Sequence, residues 1–318
     1  MRSGILVLCM AGCMPQLSAL AVEFPTRPIR IVVPFAAGGA TDIVGRTVGQ
    51  KLSEGLKQTV VIDNRPGAGG VLGTDLIAKS SADGYSLLLC STGPITISPA
   101  LGQKLPYDAI RDFAGVTPVG TVPYVLLVNQ SAPFQTVKDL VAQARARPGQ
   151  LNYASAGNGS TSHLAAELFK SMMKANVVHV PYKGSAPAAT DLAGGQIQMM
   201  FDAVPAALPL LKSGKIKALG IATSARSALL PDVPTLSESG MPGYEVFSWY
   251  GICAPARTPP KVLTTLSQAI IKGMSTAETR ERFANIGAEV LTDTPAGFRK
   301  LIESEMAKWS RVIKEAGL

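Results

Sequence analysis

The chain has 318 residues, long enough for two domains or one large one, and its 47% hydrophobic against 16% charged residues exclude a disordered protein. The formal charge is +8; setting aside the first 21 residues, which hold only Arg2, leaves 29 basic against 22 acidic residues, or +7. That excess suits anionic ligands. The basic residues are scattered, with no Lys/Arg run and no interleaved aromatics, which argues against a nucleic-acid partner.

The N-terminus reads as an export signal. Arg2 supplies the positive region, residues 5–10 the apolar core, and Ala19-Leu20-Ala21 a small-x-small cleavage site. Cleavage after Ala21 is favoured over lipidation of Cys13 in the lipobox-like Met10-Ala11-Gly12-Cys13, because Glu23-Phe24-Pro25 and the folded pattern follow directly. No other stretch is long and apolar enough to span a bilayer. Loss of the signal leaves Cys90 and Cys253, each ending an apolar run. An oxidising compartment permits a disulfide between them, but in a fold of this size the reading is two buried thiols acting as small hydrophobes.

The first folded unit is Ile31-Val32-Val33-Pro34-Phe35-Ala36-Ala37-Gly38-Gly39-Ala40-Thr41-Asp42. A β-branched run reads as a buried strand, two glycines allow a tight turn, and Val44, Val48, Leu52 and Leu56 then form one stripe of a helix. The free N–H groups of that helix start attract anions. Residues 60–62 form a second strand, Asn64-Arg65-Pro66-Gly67-Ala68-Gly69-Gly70 a glycine loop, and 71–78 a short helix. A third strand, 85–90, ends at Ser91-Thr92-Gly93. Residues 99–120, with Pro99, Pro106, Gly115, Pro118 and Gly120, read as irregular.

A strand at 124–129 and a helix at 137–146 lead into a second series of the same kind. Strand 151–154 enters Ser155-Ala156-Gly157-Asn158-Gly159-Ser160-Thr161-Ser162 and a helix from His163; strand 177–180 enters Pro181-Tyr182-Lys183-Gly184-Ser185 and a helix from Pro187. Strand 197–201 ends at Asp202, followed by strands at 216–222 and 245–253 and helices at 261–274, 277–285 and 295–316. Alternating strands and helices predict an α/β fold with parallel units, whose ligands sit beyond the carboxyl ends of the strands. Two similar lobes facing one another across a cleft would bring both glycine turns together.

The chemistry of an enzyme is thinly represented. There is no phosphate loop, no spaced dinucleotide fingerprint and no nucleophile elbow, and the only histidines are His163 and His179. Two histidines and two distant cysteines make no metal or catalytic set, so no cofactor is expected. An acid–base set of Asp202, His163 and Lys183 matches no known arrangement. What remains is backbone donors and short hydroxyls. Ser160, Thr161 and Ser162 stand where N-caps occur, so one satisfies its own helix and the others are open to a bound carboxylate. Thr41 and Asp42 carry the same two roles, with capping favoured for Asp42. His163 is either a structural histidine or a ligand partner. Asp202 would repel an anion unless it accepts from a ligand donor, a water or the facing lobe.

The stretches Pro28 to Asp42, Asn64 to Gly70, Tyr153 to Leu164 and Val180 to Ser185 together closely resemble the Bug family, the extracytoplasmic substrate-binding proteins of tripartite tricarboxylate transporters. The resemblance spans about residues 22–318. It implies a periplasmic-binding-protein fold of the second type with two crossover strands, at 124–129 and 245–253. Lobe 1 would comprise 22–123 with 247–318, and lobe 2 124–246. It also implies a ligand carboxylate held mainly by the turns at 35–42 and 157–163, partly through ordered waters, with the rest of the cleft selecting the ligand. The expected ligand-binding set is Phe35, Ala37, Gly38, Gly39, Thr41, Asp42, Asn64, Thr92, Asn158, Gly159, Ser160, Thr161, His163, Lys183 and Asp202. The expected ligand is a mono-, di- or tricarboxylate, an aromatic acid or an amino acid. The expected partners are membrane transporter subunits or, alternatively, a sensor kinase, and the protein is expected to be a periplasmic monomer.

Overall fold

The computed structural model describes residues 24–318; the export signal, its cleavage after Ala21 and the alternative at Cys13 lie outside the described residues. β1 (Ile29–Val33) feeds the first glycine turn and α1 (Ala40–Leu56). The stripe read from the sequence packs inward: Val44, Val48 and Leu52 are fully buried, each worth about 1.5–3 kcal/mol. β2 (Val60–Asn64), α2 (Val71–Ala78) and β3 (Ser86–Ser91) follow. β1 pairs in parallel with both β2 and β3. A wide helical turn at Gly93–Ile97 then runs into the short α3 (Ser98–Ala100).

β4 (Phe113–Asn129) is one long strand where the sequence predicts an irregular stretch and a shorter strand. Its glycines make room instead of breaking the strand. A side chain at Gly115 would meet the Phe298 ring at 2.9 Å, and one at Gly120 would meet the Glu289 carbonyl oxygen at 2.6 Å. The register shifts beside Gly115 and Pro118 absorb the missing donor of the proline.

The second series comprises α4 (Val137–Ala146), β5 (Asn152–Ser155), α5 (Thr161–Met173), β6 (Val178–Pro181), α6 (Ser185–Ala193), β7 (Met199–Ala203), α7 (Val204–Lys212) and β8 (Ile216–Ile221). β5 pairs in parallel with β6 and β7. α7 is not legible in the sequence, because Pro205 and Pro209 read as breakers although Pro205 sits harmlessly in the first turn. β9 (Phe247–Pro255) then precedes α8 (Pro260–Met274), α9 (Ala277–Ala284) and α10 (Pro295–Ala316).

β4 joins the two halves. Its first part, through Pro123, lies antiparallel to β9 in the sheet of β1–β3, and from Tyr124 onward it lies antiparallel to β7 and β8 in the other half. The chain crosses back just before β9, where Tyr124 N–H donates to Val246 O and Val246 N–H to Ala222 O. The result is a two-lobed α/β fold with both crossings at the floor of the cleft. Cys90 and Cys253 correct the expectation of free thiols: they form a disulfide. β3 and β9 are antiparallel neighbours, an adjacency that residues so distant in sequence do not reveal.

Candidate functional site

The first glycine turn is built by Asp42. Gly39 is the N-cap of α1 and has no side chain to cap with, so the first N–H groups of the helix keep no side-chain partner. Asp42, at the third helical position, accepts from Gly38 N–H at 3.0 Å and from Arg46 Nε at 2.9 Å. Its other oxygen accepts from Asn64 Nδ2 at 3.0 Å, and the same amide donates to Phe35 O at 3.1 Å. Burial alone would raise the Asp42 pKa, but these donors hold it below the usual carboxylate range. Asp42 and Asn64 therefore shape the turn from behind.

The second turn divides the three hydroxyls predicted to share capping and binding. Ser160 is the N-cap of α5 and accepts from His163 N–H at 3.3 Å, while Ser162 Oγ accepts from Ala156 N–H at 2.9 Å. Thr161 reaches across the cleft to Ser248, Oγ to Oγ, at 2.8 Å. His163 sits behind the turn, where its Nδ1 accepts from Gly159 N–H at 3.3 Å, which fixes the neutral tautomer with the proton on Nε2. Its ring stacks on His179 at 4.4 Å, and His179 stacks on Tyr153 at 4.7 Å.

Burial holds both histidines below the ordinary imidazole range; His179, also facing His163, is pushed down to about 4. An unfolded histidine takes up its proton near pH 6.5, before the folded His179 does, so the stability this contributes is full above that pH and lost as pH falls toward 4. His179→Gln is expected to remove about 1–2 kcal/mol of the decline in stability between pH 7 and pH 5. Urea unfolding of both proteins at the two pH values checks this.

The two turns meet around a small cavity of about 30 Å³. Of the predicted set, Phe35, Gly39, Thr41, Ser160, Thr161 and Asp202 line it. Thr92 lies just behind, with its hydroxyl accepting from Trp249 N–H at 2.8 Å while the neighbouring Ser91 and Gly93 face the cavity. Gly38 and Gly159 belong to the turn backbones, and Ala37, Asn158 and Lys183 are exposed. Tyr124, Ser185, Ser248 and Tyr250, outside the predicted set, also stand in the wall. Ser248 and Tyr250 are two apart on a crossover strand, a period-2 signal that could have found them.

Four helices begin at the wall: α1 near Ala40, α5 at Thr161, α6 at Ser185 and α7 beside Ala203. Their N-termini supply partial positive charge. Among the described residues no lysine, arginine or histidine lines the cavity, and Asp202 is its one carboxylate. The roof is made by backbone contacts between lobes: Ala36 N–H donates to Lys183 O at 3.3 Å, and Gly69 packs against Asn158. Among the described residues there is no cluster of potential metal ligands, and no helix is long and apolar enough to cross a membrane.

The fold recurs in known proteins. The family model described as TctC, tripartite tricarboxylate transporter family receptor, matches residues 44–318. The chain is 40% identical to Protein BugT of Bordetella pertussis over 298 residues, 93% of this chain and 91% of that protein. The structure of Rpa4515 from R. palustris with adipate superposes with a TM-score of 0.89 at 38% identity, over 93% of this chain and 99% of that one. MatC from Rhodopseudomonas palustris with bound malate gives a TM-score of 0.88 at 34% identity, over 91% of this chain and 100% of that one. The chain belongs to the TctC receptor family of tripartite tricarboxylate transporters, the Bug-type periplasmic solute-binding proteins.

Proposed function

We propose that this protein, exported by its cleavable signal and acting as a monomer, captures a small organic carboxylate in the cleft and delivers it to a tripartite tricarboxylate-type membrane transporter. Lobe 1 is 22–123 with 247–318, and lobe 2 is 124–246. The observation that carries the reading is the meeting of the α1 and α5 N-termini across a hydroxyl-lined cavity with no basic side chain in its described wall. Such a site holds an anion through backbone donors. Each terminus contributes roughly 0.3–2 kcal/mol, with charge-assisted N–H bonds in addition. Micromolar affinity corresponds to about −8 kcal/mol, of which the two termini supply at most about half, so the other contacts of the closed cleft carry the rest. The adipate and malate bound by two relatives support the carboxylate class.

Phe35, Gly39, Thr41, Ser160, Thr161 and Asp202 contact the ligand in this reading; Gly38, Asp42, Asn64, Thr92, Gly159 and His163 hold the turns, and Ala37, Asn158 and Lys183 form the rim. Catalysis has little support, because His163 and Lys183 do not share the cavity with Asp202. The test is a thermal-shift screen of mono-, di- and tricarboxylates, aromatic acids and amino acids, on protein refolded to strip carried-over ligand. At least one acid should raise Tm by several degrees. No shift with any of them contradicts the reading.

Gly39→Val probes the turn directly. Its backbone, φ −79° and ψ 170°, accepts any residue, but a Cβ would stand 2.8 Å from Ser185 Oγ on the opposite lobe. Affinity for the best acid of the screen is expected to fall about tenfold or more, with apo Tm nearly unchanged. Unaltered affinity, measured by calorimetry, would remove the ligand from this turn.

A further inference from the structure

Asp202 stands at the end of β7, at the base of the cleft. One carboxylate oxygen accepts from Ala203 N–H at 2.8 Å. The other, Oδ2, is buried, lies in a residue only 3% exposed, and has no hydrogen-bond partner. Ser185 lies near the carboxyl without satisfying Oδ2. The titratable groups facing it are Tyr124 from β4 and Tyr250 from β9; α1, α5 and α6 bring only the hydroxyls of Thr41, Thr161 and Ser185 to the same cavity. Burial keeps both tyrosines protonated, Tyr250 with a pKa near 12 and Tyr124 well above its ordinary value, so neither adds charge.

A carboxylate drawn to the helix N-termini enters the space that Asp202 already occupies. Two carboxylates in one enclosed site, with no cation beside them, do not both stay ionised. A proton on Oδ2 turns repulsion into a donor and satisfies the orphaned oxygen. Burial has already raised the pKa of Asp202 to about 7, so the proton is available near neutrality.

We propose that Asp202 binds the ligand as a neutral acid, its Oδ2–H donating to the ligand carboxylate, so that capture takes up one proton. The charge balance is simple: Asp202 carboxylate, ligand carboxylate and one solvent proton give a neutral Asp202 hydrogen-bonded to a still anionic ligand group. Asp202 thereby selects carboxylates over ligands that bring an ammonium group to this position, because an ammonium would keep Asp202 ionised and reverse the pH dependence. The proposal rests on the carboxylate-receptor reading above.

The test is calorimetry of the refolded full-length mature protein with adipate and with malate, across pH 6 to 9, in buffers of different ionisation heat. Wild type is expected to take up about one proton per bound acid near pH 8, and to lose about tenfold in affinity per pH unit above that. Asp202→Asn, whose amide still donates, should bind with no proton uptake and a flat pH profile. Binding by wild type without proton uptake, or tightening as pH rises, overturns the proposal. Should neither acid bind, the receptor reading fails for these two acids and the same titration is run with the best acid of the thermal-shift screen. A protonated-carboxyl infrared band that appears on binding at pH 8 and is missing in Asp202→Asn then supports the proposal, and its absence in wild type overturns it.

Discussion

Gly69→Ala is expected to lower carboxylate affinity about a hundredfold or more, roughly 2.7 kcal/mol, while Gly102→Ala leaves it unchanged. Both glycines are left-handed, with φ of 64° and 67°, so alanine strains each backbone by a similar 1–2 kcal/mol or so. They differ in what a Cβ would meet. At Gly102 nothing lies within 4 Å, whereas at Gly69 the added carbon falls onto the backbone carbonyl oxygen of Asn158 in the facing lobe. Backbone cannot rotate away as a side chain can. The Asn158 side, too, is built for close approach: a Cβ at Gly157 would lie 2.7 Å from Gly69 N. Strain common to both variants appears in their unfolding midpoints, and failure to close appears only in the binding of Gly69→Ala. Equal affinity losses in the two would attribute the effect to strain and not to closure.

Removing the disulfide with Cys90→Ala/Cys253→Ala is expected to cost about 3–5 kcal/mol of stability. The bond spans 163 residues, and a loop of that length corresponds to about 5 kcal/mol of chain entropy, an upper figure against the usual 2–4. Both sulfurs are fully buried, so the loss appears on mutation and only slowly with external reductant under native conditions. The bond ties β3 to β9, whose neighbouring residues Ser91 and Tyr250 line the cavity. A large fall in the urea midpoint of the double variant is the expected outcome; an unchanged midpoint would mean that the packing between β3 and β9 suffices alone.

The parts of this molecule that the sequence made legible are those in which local pattern and tertiary role agree. The β1 run, the paired glycines and the α1 stripe each obey a single periodicity, and the Gly157–Ser162 segment repeats that logic. Elsewhere a residue serves a neighbour remote in sequence. Gly115 reads as a strand breaker but, with Gly251, leaves space for Phe298 of α10, which stands edge-on to Trp249 at 5.5 Å. Pro205 and Pro209 hide α7 for a local reason, since proline reads as a breaker although the first turn of a helix tolerates it. In the site, the turns were readable because glycine and helix-start chemistry are local. Tyr124, Ser248 and Tyr250 were not, since only the crossings of β4 and β9 bring them to the turns, and Ser185 joins them as the start of α6 in the facing lobe. The roles of Asp42 and His163 also needed the fold: each was weighed as a ligand contact, and each holds a turn from behind.

If a carboxylate is gripped between the starts of α1 and α5, a crystal structure of the protein purified without refolding, or soaked with the best acid of the screen, will show it there. The expected result is a carboxylate group between the Gly39–Thr41 and Thr161–Ser162 backbones, held by their N–H groups directly or through one water, with Asp202 in contact. A ligand bound elsewhere, or one whose carboxylates all point away from both helix starts, would contradict it.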